Sequence, residues 1–313
     1  MSSSVLRGRP EGQFSVERSG AIAGMSAYIL WGLITMYWKA LQDFAPLELI
    51  GYRIILSALL LAGVLALRGR LKPMFTAVTR QRLWGRMVLT ALLLAVNWTT
   101  YVVVVSEGKV IEAALGYFIA PLGTMLLGIK VLHERLRPMQ LSSAVLATVA
   151  VVVLTIGYGS VPFYALAMAS SWALYGLLKR QIPLQPLESL MSETVVLVVP
   201  AVLLMIWSSR FDDSVINSAS SGQLTLVLLT GVVTAVPLLL FASAAQKLPL
   251  TVLGPMQYSV PVINFLLGWL LYHEKLTATR VVGFGLVWIA LVIVTIDSMA
   301  RSRSSVRPLR STS

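Results

Sequence analysis

Pro121-Leu-Gly-Thr-Met-Leu-Leu-Gly128 and Pro261-Val-Ile-Asn-Phe-Leu-Leu-Gly268 stand 140 positions apart. Each is followed by a similar tetrapeptide, His133-Glu134-Arg135-Leu136 in one case and His273-Glu274-Lys275-Leu276 in the other. At the same offset Pro46-Leu47-Glu48 meets Pro186-Leu187-Glu188, and Tyr101 meets Phe241. An offset of 144 lays Tyr28-Ile-Leu-Trp31-Gly32 on Trp172-Ala-Leu-Tyr175-Gly176. Ungapped matches in one order mark a duplication with a period of about 140 residues.

The chemistry of the duplicated unit follows from composition. Of the 313 residues, 57% are hydrophobic and only 12% charged, with a mean hydropathy of +0.81. A soluble domain carries about 25% charged residues, so this chain cannot cover a water-facing surface, and disorder is excluded by the same figures. It reads as an all-α integral membrane protein. Apolar runs fall at 20–40, 47–67, 87–105, 111–132 and 140–157, then at 161–179, 188–207, 222–246, 250–272 and 279–297. Each is close to the ~20 residues that cross a bilayer, which predicts ten transmembrane helices. Five spans per copy is an odd number, so the second copy enters the membrane from the opposite side. The expected fold is two inverted five-helix repeats, an architecture of secondary transporters with a midplane site. The expected units are a cytoplasmic tail at 1–19, repeats at 20–157 and 158–298, and a basic cytoplasmic tail at 299–313.

The net charge of +12 is explained by topology rather than nucleic acid. With a cytoplasmic N-terminus, 18 of the 25 Lys and Arg fall on inner segments, among them Arg68, Arg70, Arg80, Lys179, Arg180 and the 301–310 tail. Lys39, Lys109, Arg210, Lys275 and Arg280 lie outside, and Arg53 and Lys130 within spans. This is a positive-inside distribution and predicts both termini in the cytoplasm. The first eighteen residues lack a cleavage-site pattern and read as a retained tail.

Chemistry-bearing motifs are few. With no cysteine and two histidines, neither a thiolate nucleophile nor a metal centre is expected. Arg137 and Thr277 stand where a His-Glu-x-x-His zinc helix needs its second histidine. The His-Glu pairs read instead as connectors, each Glu sitting near the start of the next helix. No phosphate-binding loop is present, so ATP-driven pumping and cofactors are not expected.

Polar and helix-breaking residues inside spans are costly and mark candidate sites. Asn97 and Tyr101 share a face of span 3. Span 4 carries Tyr117 and Pro121, span 8 Pro237 and Phe241, and span 9 Gln257, Tyr258, Pro261 and Asn264. Each admits two readings, an interhelical hydrogen bond or a substrate contact. Trp31 and Tyr175 lie deep enough to shape a cavity, whereas Trp38 and Trp207 read as interfacial belt residues. Arg53 and Glu193 superpose in the repeat. Inversion separates their depths by about 12 Å at 1.5 Å per residue, near the limit for two extended side chains, so a direct pair stays open. The bland reading has Arg53 snorkelling outward and Glu193 inward. The functional one makes Glu193 a proton-coupling carboxylate or Arg53 an anchor for an anionic group.

These residues resemble the EamA family of the drug/metabolite transporter superfamily, each half closing its fourth span on His-Glu-x-Leu. Asn97-Trp98, Glu112–Phe118, Tyr52-Arg53, Glu193-Thr194, Val236-Pro237-Leu238 and Gln257-Tyr258 are similar, more narrowly, to its RarD-like subgroup. The likeness runs from about 20 to 298. It implies a ten-helix permease of the bacterial inner membrane, with four spans of each half around a cavity and spans 5 and 10 outside. The chain is therefore expected to be a secondary transporter, not an enzyme, moving a small organic solute outward by alternating access. Trp31, Asn97, Tyr101, Tyr117, Tyr175, Gln257 and Tyr258 are its candidate substrate contacts. Arg53 and Glu193 are coupling candidates, and Pro121, Pro237 and Pro261 are expected to allow helix breaks. Membrane lipid and a small-molecule substrate are the expected partners. Proton coupling, solute exchange and oligomeric state stay open, with an intramembrane enzyme, a lipid flippase or a non-transporting sensor as alternatives.

Overall fold

The computed structural model describes residues 11–271 apart from 108, 137, 159 and 212–213, together with positions 273, 285 and 289. The helices run α1 Glu11–Lys39, α2 Pro46–Leu67, α3 Leu71–Arg80, α4 Trp84–Ser106, α5 Val110–Leu132 and α6 Pro138–Tyr158. They continue as α7 Phe163–Gln181, α8 Pro186–Ser208, α9 Val215–Ser218, α10 Ser221–Lys247, α11 Leu250–Met256 and α12 Ser259–Leu266, ending in a π-helical turn at Leu267–Leu271. Among the described residues there is no strand. Seven segments are long and apolar enough to cross a membrane: α1 from Ser15, α2, α4, α5, α8, α10 and the unit from Leu250 to Leu271. The expected tenth span, 279–297, lies outside the described residues except for positions 285 and 289.

Local chemistry sets the helix ends. Pro46 and Pro186 open α2 and α8, where a missing N–H costs nothing. Ser220 and Gln223 form a capping box at α10. His133 and His273, equivalent in the duplication, both adopt left-handed backbone at φ 54° and 51°. His133 ends α5 as its left-handed C-cap.

Helix packing follows the duplication. Let α1, α2, α4 and α5 correspond to α7, α8, α10 and the α11–α12 unit. Then α1 packs on α10 as α7 packs on α4, α5 on α7 as α12 on α1, and α2 on α10 as α8 on α4. The two self-equivalent pairs, α2 with α8 and α5 with α11, are also in contact. Close approach needs small residues. A Cβ on Gly231 would stand 2.6 Å from the Leu56 carbonyl carbon, and one on Gly254 2.8 Å from the Pro121 carbonyl oxygen.

Two carboxylates tie the ends of α2 and α8 and fix these helices as antiparallel. Glu48, at the start of α2, accepts from the Val215 N–H just beyond α8 at 3.1 Å. Glu188, its equivalent at the start of α8, pairs with Arg70 just beyond α2 at 2.7 Å. The Glu48 end is termed upper here and the Glu188 end lower. Glu134 also belongs to the lower end. Its carboxylate accepts from the N–H groups of Leu250 and Thr251 at 2.9 and 2.8 Å. The helix start it serves is thus that of α11, not that of the following α6 as the sequence suggests.

Two further expectations are corrected. Pro121 and Pro237 lie inside uninterrupted α5 and α10, because dense packing on neighbours supports a helix through one lost hydrogen bond. Among the described spans the chain breaks only in span 9, at Gln257-Tyr258, between Pro255 and Pro261. The amphipathic α3, with Met74 and Val78 buried one turn apart, has no counterpart among the expected elements.

Candidate functional site

The lower half of the bundle is closed by rings. Tyr28 and Trp31 of α1, Trp172 and Tyr175 of α7, and Phe241 of α10 form one cluster. Trp172 and Phe241 are 4.8 Å apart between centroids, Trp31 and Trp172 5.2 Å, and Tyr175 stacks on Phe241 at 5.8 Å. The two α1 rings and the two α7 rings are repeat equivalents, so the cluster is a symmetric pair of dyads with Phe241 seated between them. Edge and offset contacts of this kind hold each ring in place beyond area burial.

Beneath it sits a charged pair. Lys179 Nζ lies 2.6 Å from Glu193 Oε1, with both side chains fully buried. Ser189 donates to Glu193 Oε1 at 3.1 Å, Tyr175 donates to Oε2 at 3.2 Å, and Lys179 also donates to Ser189 at 2.8 Å. A carboxylate removed from water needs such a set of donors. Glu193 therefore does not reach for the inner surface, and Lys179 is not one of the surface charges the sequence assigns it to. Its placement four residues after Tyr175, on the same helical face, is the signal that could have found it.

Arg53 lies in the upper half with different partners. Its Nε donates to Thr234 Oγ1 at 3.2 Å. Its guanidinium carbon sits 4.1 Å from the Trp98 ring centroid and 5.1 Å from that of Trp38. Trp38 is thus a wall of the arginine site rather than a belt residue, and Arg53 is held rather than snorkelling. Arg53 and Glu193 do not pair. The Tyr37 and Tyr117 side chains are within electrostatic reach of Arg53. Tyr117 meets Tyr101 edge-on at 6.0 Å, and these two are 39% and 40% exposed. Tyr101 is the equivalent of Phe241, yet it takes no part in the ring cluster.

Between the halves a small cavity, about 10 Å³ and enough for one water, is lined by Trp98 and Thr234 on one side and Glu193 and Thr194 on the other. The remaining candidates are engaged within the protein. Asn97 Nδ2 donates across to the Met168 carbonyl of α7 at 2.9 Å. Gln257 donates to Thr124 at 2.9 Å, and Tyr258 to the Phe118 carbonyl at 3.1 Å, pinning the broken span 9 to α5. Pro261 is buried directly after the break.

Comparison with known proteins adds an independent line. The model of the EamA-like transporter family matches twice, over residues 18–156 and 160–296. Protein RarD of Streptomyces exfoliatus is 40% identical over 292 residues, 92% of each chain. The uncharacterized transporter YojE of Bacillus subtilis is 34% identical over 296 residues, covering 94% of this chain and 99% of that one. A solved structure described only as a crystal structure of protein aligns with TM-score 0.69 at 18% identity. The alignment covers 90% of this chain and 98% of that one, a likeness of fold.

Proposed function

Because the chain belongs to the EamA-like transporter family, a family of membrane transporters, we propose that it is a secondary transporter whose two inverted five-helix repeats rock about a central site. The observation that carries this reading is the exchange of contact partners between the helices of the two copies, together with antiparallel α2 and α8. A two-fold axis in the membrane plane produces that pattern and makes the two ends interchangeable in principle. In this conformation they differ: rings and an ion pair fill the core of the lower half, while Tyr101 and Tyr117 are partly exposed in the upper half. With the positive-inside charges at the lower end, the state is outward-facing in a bacterial inner membrane with cytoplasmic termini.

The solute is a small organic molecule moved outward, received by Tyr101, Tyr117 and the walls around Arg53. Trp31, Tyr175 and Phe241 part in the opposite state, and the broken span 9 at Gln257-Tyr258 moves with them. Glu193 is the proton-coupling candidate, since protonation of its carboxylate would release it from Lys179.

The test is thermal-shift screening of the purified chain against a metabolite panel, followed by counterflow of the hits in liposomes. Saturable, competable counterflow is expected. Stabilising ligands that show no saturable movement would sink the reading and favour a non-transporting sensor.

A further inference from the structure

Among the described residues no carboxylate balances the charge of Arg53. The described carboxylates at the spans have other partners: Asp43 accepts from Gln223, Glu48 from the Val215 N–H, Glu112 from the Tyr164 N–H and Glu134 from the start of α11, while Glu107 pairs with Lys109, Glu188 with Arg70 and Glu193 with Lys179. Only Nε of Arg53 donates, to the neutral Thr234, which leaves the four N–H bonds of its two terminal nitrogens for another acceptor. Those nitrogens form the fork that matches a carboxylate in a bidentate pair.

The duplication sharpens the point. Arg53 is equivalent to Glu193 at the 140-residue offset, and Thr35 to Lys179 at the 144-residue offset. In the second copy these two positions hold opposite charges that neutralise each other at 2.6 Å. In the first copy one holds a cation, and the other holds a threonine whose hydroxyl donates to Asn264 at 2.9 Å. An uncompensated cation inside a membrane span is costly. Two indole faces at 4.1 and 5.1 Å offset part of that cost through cation–π attraction and hold the guanidinium in one orientation.

We propose that Arg53, clamped between Trp38 and Trp98, binds the anionic group of the transported solute, and that the solute is an organic carboxylate with a flat apolar part. The carboxylate takes the terminal guanidinium nitrogens. The flat part lies against Tyr117, which is within electrostatic reach of Arg53 and meets Tyr101 edge-on, both rings being partly exposed. The proposal rests on the transporter reading only for the word solute; the anion site itself stands on the geometry of Arg53.

The test uses the full chain in nanodiscs of neutral lipid, with the fluorescence of the tryptophans, two of which flank Arg53, as the readout. Benzoate is titrated against its neutral isostere benzamide. Saturable quenching by benzoate and none by benzamide is expected, weakened at least tenfold in Arg53→Gln and less in Arg53→Lys. The Lys variant keeps the charge and controls for loss of fold. Equal responses to the two probes, no saturable benzoate response, or an unchanged response in Arg53→Gln overturns the proposal. Loss of the benzoate response when phosphatidylglycerol replaces neutral lipid does so too, because it assigns the site to a lipid headgroup phosphate. Benzoate that binds through Arg53 but shows no counterflow counts against transport alone. Counterflow of a neutral solute that is unchanged in Arg53→Gln counts against the anion site alone.

Discussion

Lys179 and Glu193 meet at 2.6 Å with both side chains fully buried. The attraction between them offsets the loss of hydration only because Ser189 and Tyr175 supply further hydrogen bonds. Such a pair is weak evidence for stability, but removing one partner leaves the other charge buried alone.

The first prediction follows from that asymmetry. Glu193→Gln leaves a buried ammonium without its counter-ion and is expected to destabilise the protein by about 3–5 kcal/mol, read as a large fall in thermal midpoint in detergent. Lys179→Met combined with Glu193→Leu is expected to regain most of the loss, since it removes both charges. A double variant as unstable as the single one would mean that the pair does more than cancel itself. If the single variant still folds and moves solute with undiminished proton linkage, Glu193 is not the coupling group.

Much of the architecture could be read in the chain because duplication writes the same motif twice. The offset that lays His133 on His273 also pairs Glu48 with Glu188, and the structure uses both carboxylates as ties at opposite ends of antiparallel helices. Depth arithmetic along α2 and α8 leaves a direct Arg53–Glu193 pair open, and the structure gives the two residues separate partners. Other features were hidden for definite reasons. Lys179 ends an apolar run beside Arg180, so local sequence makes it a surface charge, and only the packing of α7 on α8 and α10 buries it. Glu134 serves the start of α11, 116 residues away, a choice that no local dipole argument contains. The ten-residue α3 is too polar to register as a span, although Met74 and Val78 carry the four-residue spacing of a buried face.

Glu134 carries the second prediction. It receives two N–H groups at the start of α11, and Arg180 Nε lies 3.7 Å away. Removing a cap of this kind costs about 0.5–2 kcal/mol. Glu134→Ala is therefore expected to lower the thermal midpoint clearly and Glu134→Gln less, since an amide oxygen can still accept one of the two bonds. Hydrogen exchange at Leu250 and Thr251 should rise in the Ala variant. Unchanged exchange there would show that the cap is not what holds α11.

The third prediction concerns close packing between copies. A methyl group at Gly231 meets the backbone of Leu56 at 2.6 Å, and backbone cannot rotate away as a side chain can. Gly231→Ala is expected to cost more than the ~1–3 kcal/mol typical of overpacking. Gly63→Ala, on α2 with open space around it, is expected to be neutral or slightly stabilising because alanine is the better helix former. Equal midpoints for the two variants would contradict the packing of α2 on α10.

The last prediction tests the motion itself, and the absence of native cysteine makes it clean. A Cβ on Gly24 of α1 would lie 3.3 Å from the Ala244 Cβ of α10, close to the ~3.8 Å mean that a disulfide spans. The pair Gly24→Cys with Ala244→Cys is expected to cross-link under mild oxidation and to hold the lower end shut. If rocking of the copies carries solute, counterflow should fall to background when the bond forms and return on reduction, while either single variant stays active. Cross-linked protein that transports at the full rate would mean that α1 and α10 do not part during the cycle. The ring cluster of Tyr28, Trp31, Trp172, Tyr175 and Phe241 would then be a permanent wall, and the solute path would have to pass elsewhere.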